Sequence, residues 1–317
     1  MITLLRTDAK PFLKWAGGKG QLINQIKEFL PPEFVATRKI NKYFEPFVGG
    51  GAVFFWLSKE YQIKKAYLYD INPEIITAYQ TIRDSLRKLI SELKDLEGEY
   101  LSSPKVNREK FFYVKRTEYN EYISQKRTNH VVRRTALMIF LNKTCFNGLF
   151  RVNSQGLFNV PFGRYENPTI CDEKNLQAVN TVLQHAEIEE QDFSYCLKKA
   201  DTHSLVYFDP PYRPISRTAN FTGYIKNGFN DENQKHLKKI CDQLSKIGSK
   251  VILSNSDPQN INPDDNFFDD LYRKYYRKRL QATRMINCNA EKRGMIKELL
   301  VMNYESPRRG LLSKDHA

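Results

Sequence analysis

Short apolar segments that end in polar or glycine turns recur along the chain. Four of them predict strands, at residues 42–47, 65–69, 205–208 and 251–253. They run in turn into the glycine turn at 49–51, Asp70, Asp209 and Ser254. Strands of a parallel sheet have this pattern, because both of their faces are buried and the loops at their carboxyl ends carry ligands. The pattern therefore predicts an α/β fold with a doubly wound, Rossmann-like sheet.

Between the second and third of these strands the periodicity becomes helical. Residues 73–96 and 109–141 have apolar positions at helical spacing and are rich in Lys, Arg, Tyr and Phe. We interpret residues 73–171 as an inserted, mainly helical and basic domain. The remaining residues, 1–72 and 172–317, then form the two parts of the domain that contains the sheet.

The C-terminal part of the chain predicts a hairpin of two strands. Residues 278–283 and 297–304 are strand-like and flank a polar loop at 285–294. Such a hairpin can close the sheet with antiparallel strands. From about residue 305 onward we expect a disordered tail.

The net charge of the chain indicates what kind of molecule it binds. The chain carries 50 Lys and Arg against 36 Asp and Glu, a formal net charge of +14. Such a charge attracts a polyanion and favours nucleic acid, although a merely basic protein is the alternative. No apolar run approaches the roughly 20 residues that cross a bilayer, and residues 1–10 lack the apolar stretch of a signal peptide. We therefore expect a cytoplasmic protein without a membrane partner.

The cysteines and histidines give no sign of a metal site. The five cysteines are widely spaced, and neither they nor the five histidines have the spacing of zinc ligands. We predict free thiols and no metal ion.

The glycine turn after the first predicted strand is a candidate ligand site. Glycines let the backbone turn sharply and approach a ligand closely. Asp70 ends the next strand about 20 residues downstream, where an acidic side chain of nucleotide-binding folds accepts hydrogen bonds from ribose hydroxyls. The glycines lack the G-x-G-x-x-G register of dinucleotide sites, and a purely structural turn is the alternative reading.

Residues 14–19, with the sequence KWAGGK, resemble a P-loop only superficially. The Walker spacing is absent, since the glycines are adjacent and Lys19 is followed by Gly20, which disfavours nucleotide hydrolysis. Trp15 and Lys19 could instead bind a small ligand, with packing of Trp15 in the interior as the alternative.

Asp209-Pro210-Pro211-Tyr212 combines distinct chemical groups at the end of a predicted strand. Proline has a fixed φ and no backbone N–H, so the carbonyls of this turn can point outward and accept hydrogen bonds. If Asp209 and the Pro210 carbonyl each accept one N–H of adenine N6, the nitrogen lone pair is directed toward an incoming methyl group. Tyr212 could stack on the base. An ordinary Pro-Pro turn is the alternative.

An enzyme that acts on N6 in a duplex must flip the nucleotide out, and it needs DNA contacts that offset a cost of about a few kcal/mol. The segment at 146–153, FNGLFRVN, could supply them. Phe146 is a candidate aromatic wedge, Arg151 suits bidentate contact with guanine, and Leu149 or Pro161 suits a thymine methyl. Ordinary packing and surface roles are the alternative for these residues.

With these residues in view, the chain resembles the Dam-type DNA adenine methyltransferases, the α group of amino-methyltransferases, over about residues 10–304. The resemblance rests on the DPPY signature and on further motifs in the family's order: FLKWAGGK at 12–19, FEPFVGGG at 44–51, FNGLFRVN at 146–153, FNVPFGRY at 158–165 and ANFTGY at 219–224. Phe146 departs from some relatives, which have Tyr there; the change keeps stacking but removes a hydroxyl.

The resemblance implies a Rossmann-like S-adenosylmethionine-dependent methyltransferase sheet with an inserted helical target-recognition domain. It assigns the cofactor site to Trp15, Lys19, Phe47, Gly49, Asp70, Asp192 and Asp209, and catalysis to Asp209, Pro210 and Tyr212. It assigns base reading within GATC to Lys14, Leu149, Arg151 and Pro161. Phe146 would intercalate, and Asn147 would hold the orphaned base. Phosphate contacts would come from Arg116, Asn153, Asn159 and Arg164. The expected partner is double-stranded DNA, bound by a monomer, with a cognate restriction endonuclease as a possible functional partner.

Enzymes with related activities typically differ from this chain at single residues of these motifs. No Pro-Cys dipeptide supplies the nucleophile of cytosine C5 enzymes. Cytosine N4 enzymes share the chemistry, but Asp209 stands where Ser is typical of them, and glutamine methyltransferases of protein or RNA type usually have Asn there. A catalytically silent DNA-binding protein is the rival from another class, against which the intact motifs argue.

Overall fold

A computed structural model describes residues 7–15, 19–125, 128–213, 229–283 and 295–305. Its centre is a seven-stranded sheet within these residues. The strands are β1 (Lys39–Glu45), β2 (Gln62–Asp70), β3 (Ala186–Glu190), β4 (Ser204–Phe208), β5 (Lys250–Ser256), β6 (Tyr276–Thr283) and β7 (Met295–Met302). They lie in the order β3-β2-β1-β4-β5-β7-β6.

The sheet confirms the predicted α/β class. Strands β1 to β5 pair parallel with one another, and β7 pairs antiparallel with both β5 and β6. The hairpin that closes the sheet is therefore also confirmed, while its polar loop at 285–294 lies outside the described residues. Each predicted strand is present with somewhat different bounds; β3 was not predicted at all.

The described helices surround this sheet. They are α1 (Ile23–Lys27), α2 (Pro32–Thr37), α3 (Ala52–Glu60), α4 (Pro73–Asp84), α5 (Leu86–Ser102), α6 (Lys105–Ser124), α7 (Val131–Thr144), α8 (Glu173–Leu183), α9 (Asp231–Ile247) and α10 (Phe267–Leu271). The helical periodicity at 73–96 and 109–141 thus corresponds to four helices, α4 to α7.

Strand β4 shows why the sheet buries both faces. All five of its residues are buried. Leu205 and Tyr207 belong to the apolar cluster on one face, whereas Val206 and Phe208 belong to the cluster on the other. This alternation is the period of two that a strand imposes, and it delivers the next residue, Asp209, to the carboxyl edge of the sheet.

The helical segment shares a core with the sheet. Leu68 of β2, Leu93 of α5, Phe112 of α6 and Phe140 of α7 lie in one buried apolar cluster. Helix α4 begins where the side chain of Asn72 accepts a hydrogen bond from Glu74 N. The domain limits 1–72, 73–171 and 172–317 stay a prediction.

Candidate active site

The glycine turn and Asp70 meet at the carboxyl edge of β1 and β2. Gly49 N donates to Asp70 Oδ2 at 3.0 Å, and Asn72 N donates to Asp70 Oδ1 at 2.9 Å. Burial raises the pKa of the Asp70 carboxyl to about 6, against these backbone hydrogen bonds, which lower it. The carboxylate therefore holds both loops together at the place where a nucleotide-binding acid was predicted.

Trp15 packs on this turn from the N-terminal side. A Cβ added to Gly49 would lie 2.7 Å from Trp15 Nε1, and one added to Gly50 would lie 2.9 Å from Trp15 Cβ, so the tryptophan requires glycine at both positions. The indole also stacks on Phe150, with ring centroids 5.6 Å apart. Trp15 thus lies between the glycine turn and the segment predicted to contact DNA.

Phe47 packs on the loop after β3 that carries Asp192. The Phe47 ring stacks on Phe193 at 5.3 Å and meets Phe229 edge-on at 5.6 Å. Asp192 immediately precedes Phe193, and its Oδ1 accepts a hydrogen bond from Ser194 N at 2.9 Å. Two of the predicted cofactor residues are therefore brought together by the loop after β3.

Asp209 lies next to a buried lysine. Lys19 Nζ is 2.9 Å from Asp209 Oδ1, and the lysine side chain is 2% exposed whereas that of Asp209 is 21% exposed. Burial raises the pKa of Asp209 to about 6, while the charge and hydrogen bond of Lys19 oppose this rise. Burial alone would lower the pKa of Lys19, but Asp209, Tyr212 and Glu298 raise it well above its usual value. At neutral pH the site holds an ammonium group against an ionised aspartate.

Tyr212 completes this cluster from the same turn. Lys19 Nζ donates to Tyr212 Oη at 2.9 Å, and Tyr212 Oη donates to Glu298 Oε1 at 2.6 Å. Tyr212 is 39% exposed, and Lys19 Nζ lies 4.7 Å from the centroid of its ring. Within the described residues the Pro210 carbonyl, next to Asp209, accepts no hydrogen bond.

Arg213 anchors the turn at its far end. Its guanidinium donates to both oxygens of Asp231 and to Asp265 Oδ2, and it lies 4.2 Å above the Phe267 ring. The DPPY turn is therefore held at both ends, by Lys19 and by Arg213. The ANFTGY motif at 219–224 lies outside the described residues.

Most of the predicted DNA-contacting residues lie on an irregular antiparallel hairpin at 145–165; Lys14 lies in the N-terminal segment and Arg116 on α6. Bridges join Cys145 to Phe162 and Val152 to Phe158. Asn153 Oδ1 closes the tip by accepting hydrogen bonds from Gln155 N and Leu157 N, both at 3.0 Å.

The outer surface of the hairpin presents aromatic, polar and charged side chains. Phe146 is 51% exposed, and Asn147, with φ of 55°, is exposed next to it. Arg151 is exposed, and its Nε donates to Asn159 Oδ1 at 2.8 Å. Pro161 is exposed and Leu149 is half-buried.

Of two further arginines, Arg116 lies beside the hairpin on α6 and Arg164 lies within it. Arg116 on α6 donates to the Val160 carbonyl at 3.4 Å, and its guanidinium lies 4.6 Å above the Tyr113 ring. Arg164 is exposed, with φ of 57°. The contacts of all these residues with DNA stay a prediction.

Asn142, which the sequence did not single out, connects the two halves of the site. Its side chain accepts from Lys14 N at 2.8 Å and donates to the carbonyls of Lys14 and Gly148, both at 2.9 Å. Lys14 Nζ lies 4.5 Å above the Tyr165 ring. The segment that carries Lys14 and Trp15 is thereby fixed to the hairpin. A buried amide among apolar residues of α7 was the available signal.

Other expectations concern groups away from this cluster. The four described cysteines, Cys145, Cys171, Cys196 and Cys241, have free thiols, and Cys288 lies outside the described residues. In the described part of the chain, no group of His, Cys, Asp and Glu side chains could hold a metal ion. No helix among the described residues is long and apolar enough to cross a membrane.

Comparison with known proteins decides the family. Residues 15–286 match the family of D12 class N6 adenine-specific DNA methyltransferases. The chain belongs to this family. The predicted resemblance, the enzyme class and the adenine specificity are thereby confirmed for this D12-class enzyme.

Relatives of the D12-class enzyme match it over nearly their whole length. The type II methyltransferase M.MjaIII of Methanocaldococcus jannaschii is 47% identical, over 94% of this chain and 100% of that protein. The type II methyltransferase M1.LlaDCHI of Lactococcus lactis subsp. cremoris is 36% identical, over 94% and 97%. The DNA adenine methylase of Escherichia coli K12 is 33% identical, over 92% and 95%. A solved precorrin-6y C5,15-methyltransferase from Geobacter metallireducens aligns at a TM-score of 0.33 and 8% identity, covering 88% of this chain and 91% of that one, which does not establish a common fold.

Proposed function

We propose that this D12-class enzyme transfers a methyl group from S-adenosylmethionine to N6 of an adenine flipped out of double-stranded DNA, within GATC. The observation that carries the proposal is the pair of acceptors at the end of β4. The Asp209 carboxylate is held by the buried Lys19, and the adjacent Pro210 carbonyl has no hydrogen bond from the described residues.

The residues around the glycine turn fit S-adenosylmethionine. A side chain at Gly49 would collide with the Trp15 indole, so the glycine lets Trp15 pack directly on the turn that holds Asp70. Asp70 would accept hydrogen bonds from the ribose, Asp192 from the adenine amine, and the Phe47 ring and Trp15 would supply apolar walls. When bound, the cofactor supplies a methyl group on a positively charged sulfur.

The acceptor pair can prepare the amine for attack. If Asp209 and the Pro210 carbonyl each accept one N6–H, the lone pair leaves conjugation with the ring and points out of the base plane. After methyl transfer the nitrogen carries one proton too many. The carboxylate oxygen of Asp209 that Lys19 does not bind can take this proton, since its pKa of about 6 lies near neutrality. Tyr212 would hold the base by stacking.

The hairpin and the positive charge fit a DNA complex. A net charge of +14 attracts the phosphate backbone. The exposed Phe146 could occupy the space of the flipped base while Asn147 contacts its orphaned partner. Lys14, Leu149, Arg151 and Pro161 would read the base pairs of GATC, and Arg116, Asn153, Asn159 and Arg164 would contact phosphates.

A duplex with one GATC site tests the proposed function. We expect purified enzyme to transfer one labelled methyl group per strand from S-adenosylmethionine. The matched control is the same duplex with N6-methyladenine already present at both target positions, which should accept none. Equal labelling of the two duplexes would contradict N6 of this adenine as the acceptor.

Replacing Arg151 by Ala should relax discrimination at a single base pair of the site. The guanidinium is exposed and oriented by Asn159, as a bidentate contact with guanine requires. We expect a loss of about 1 to 3 kcal/mol in discrimination at that position, measured as kcat/KM on duplexes with one changed base pair. Arg87→Ala removes the same charge from an exposed position of α5 and serves as control. An unchanged preference in Arg151→Ala would rule out direct reading by this residue.

The rate of methyl transfer should fall as the pH is lowered through about 6. Only ionised Asp209 accepts the amine, and burial raises its pKa to about that value. Asp70 also has a pKa raised by burial to about 6, but its titration acts on cofactor binding. Single-turnover rates at saturating cofactor and DNA therefore isolate Asp209. The acid limb of the pH–rate profile is the fall in rate at low pH. If Asp209→Asn showed the same acid limb, this assignment would be refuted.

We also propose a monomer that acts in the cytoplasm. A restriction endonuclease for the same site is the proposed functional partner, supported by the type II names of two relatives.

A further inference from the structure

Glu298 on β7 is a buried carboxylate that contacts Tyr212 of the catalytic turn with one oxygen and Lys19 with the other. The residue is 7% exposed. Its Oε2 lies 3.1 Å from Lys19 Nζ and accepts a hydrogen bond from Ser254 Oγ at 3.3 Å. Its Oε1 accepts the 2.6 Å hydrogen bond from Tyr212 Oη. Glu298 therefore joins the two side chains that surround Asp209.

The antiparallel pairing brings this residue to the reactive edge of the sheet. Glu298 of β7 lies opposite Ser256 at the carboxyl end of β5, the edge at which Asp209 follows β4. Its neighbours in alternation, Leu300 and Met302, are fully buried apolar residues of the core. A carboxylate at such a position costs desolvation, which only close partners offset.

We propose that Glu298 is a positioning residue for methyl transfer: it holds Lys19 and Tyr212 in place, so that Asp209 keeps an oxygen free for the adenine amine. This inference rests on the proposed function and deepens it. Lys19 divides its ammonium group between two carboxylates and a phenol. Without Glu298 the ammonium would turn fully to Asp209 and compete with the substrate for the same oxygens.

The charge balance supports the same role. One ammonium and two carboxylates leave the cluster of Lys19, Asp209 and Glu298 with one negative charge. The nitrogen that receives a methyl group becomes positive in the transition state, so a fixed negative charge favours the reaction in a site of low dielectric. Replacing Glu298 by Gln keeps the shape but removes this excess charge.

The titratable groups that interact electrostatically with Asp209 come from four elements besides its own turn. They are Lys19 after the N-terminal segment, Tyr43 and Glu45 of β1, Tyr207 of β4, Glu298 of β7 and Tyr212 in the turn itself. Burial raises the pKa of Glu45 to about 8 and raises the pKa values of the three tyrosines, so all four are neutral at pH 7. Lys19 and Glu298 are thus the charges that set the titration of Asp209.

The test compares Glu298→Gln with the wild-type enzyme in single-turnover methyl transfer over a range of pH. We expect a rate lower by about 10²-fold, the effect of a reacting group that is misplaced by about 1 Å. The charge of Glu298 raises the pKa of Asp209. Its removal therefore lowers that pKa, and the acid limb moves to lower pH. A wild-type rate with an unmoved limb would overturn the proposal.

Two matched variants distinguish the effect of the charge of Glu298 from the effect of its side-chain length and from the loss of an unrelated carboxylate. Glu298→Asp keeps the charge but shortens the side chain by one methylene, so it should lower the rate without moving the acid limb. It also replaces the Gln variant if that protein does not fold, and a wild-type rate in Glu298→Asp would overturn the proposal. Glu187→Gln removes an ion-paired carboxylate from β3 and should behave as wild type.

A readout independent of activity distinguishes this inference from the proposed function. Carbon-13 NMR titration of the Asp209 carboxyl, without DNA or cofactor, should show a lower pKa in Glu298→Gln than in the wild-type protein. An equal pKa in both proteins contradicts the role of Glu298. Absence of methyl transfer by the wild-type protein, with a shifted Asp209 pKa, contradicts the proposed function instead.

Discussion

Asp209→Ala abolishes methyl transfer while DNA binding survives. The variant removes the charged acceptor of the amine and the proton acceptor in one step, and we expect the single-turnover rate to fall by at least about 10³-fold. DNA affinity, measured by fluorescence anisotropy, should change little, because most of the proposed DNA contacts lie on the hairpin at 145–165 and the others come from Lys14 and Arg116.

Two variants calibrate the Asp209→Ala result. Asp201→Ala removes an aspartate at the opposite end of β4, where it pairs with Lys42, and should leave the rate near that of the wild type. Asp209→Asn keeps one acceptor oxygen without the charge, so its single-turnover rate should lie between the rates of the two alanine variants. Substantial activity in purified Asp209→Ala would remove Asp209 from the mechanism.

Lys19→Met has the second large expected effect, on stability and on catalysis together. The substitution leaves the carboxylates of Asp209 and Glu298 without the ammonium that separates them. Breaking a buried ion pair in this way costs about 3 to 5 kcal/mol of unfolding free energy. The pKa of Asp209 rises further without the lysine, so a larger fraction of the carboxyl is protonated at neutral pH and the rate falls.

Denaturant unfolding and activity measurements check this expectation. Lys42→Met removes a half-exposed ion pair with Asp201 and should cost only about 0 to 1 kcal/mol. The double variant Lys19→Met/Glu298→Gln removes one charge of each sign and should regain part of the lost stability. A Lys19→Met protein as stable and active as Lys42→Met would show that the buried cation has no such role.

The sheet could be predicted from sequence where burial left a clear pattern. Strands such as β4, with five buried residues in a row, produce continuous apolar runs that end in a polar site residue. Strand β3 escaped prediction because it lies at the edge of the sheet. Its sequence AEIEE buries only Ala186 and Ile188 and resembles a surface segment.

The candidate site was predictable only where its residues form local motifs. Asp70, Asp209 and the glycines stand at strand ends and are recognisable one by one. Glu298 was missed because its partner Tyr212 is 86 residues away and because a single glutamate within KELLVM has no local signature. Its role depends on the pairing of β7 with β5, a tertiary property.

The hydrogen bonds of the hairpin side chains could likewise not be predicted from the local motif. The motif FNGLFRVN indicated a contact segment, but it did not indicate that Asn153 closes the hairpin tip or that Asn159 orients Arg151. The oxygen atoms of these two amides are engaged within the protein, and their amide nitrogens stay the groups through which we predict phosphate contacts.

The most direct test of the account is a map of the bases that the purified enzyme modifies. Plasmid DNA free of methylation is incubated with the enzyme and S-adenosylmethionine, then sequenced with detection of modified bases and digested for mass spectrometry of its nucleosides. The account predicts N6-methyladenine at the adenine of GATC on both strands, and its absence after treatment with Asp209→Ala. N4-methylcytosine as the product, or N6-methyladenine without dependence on GATC, would contradict it.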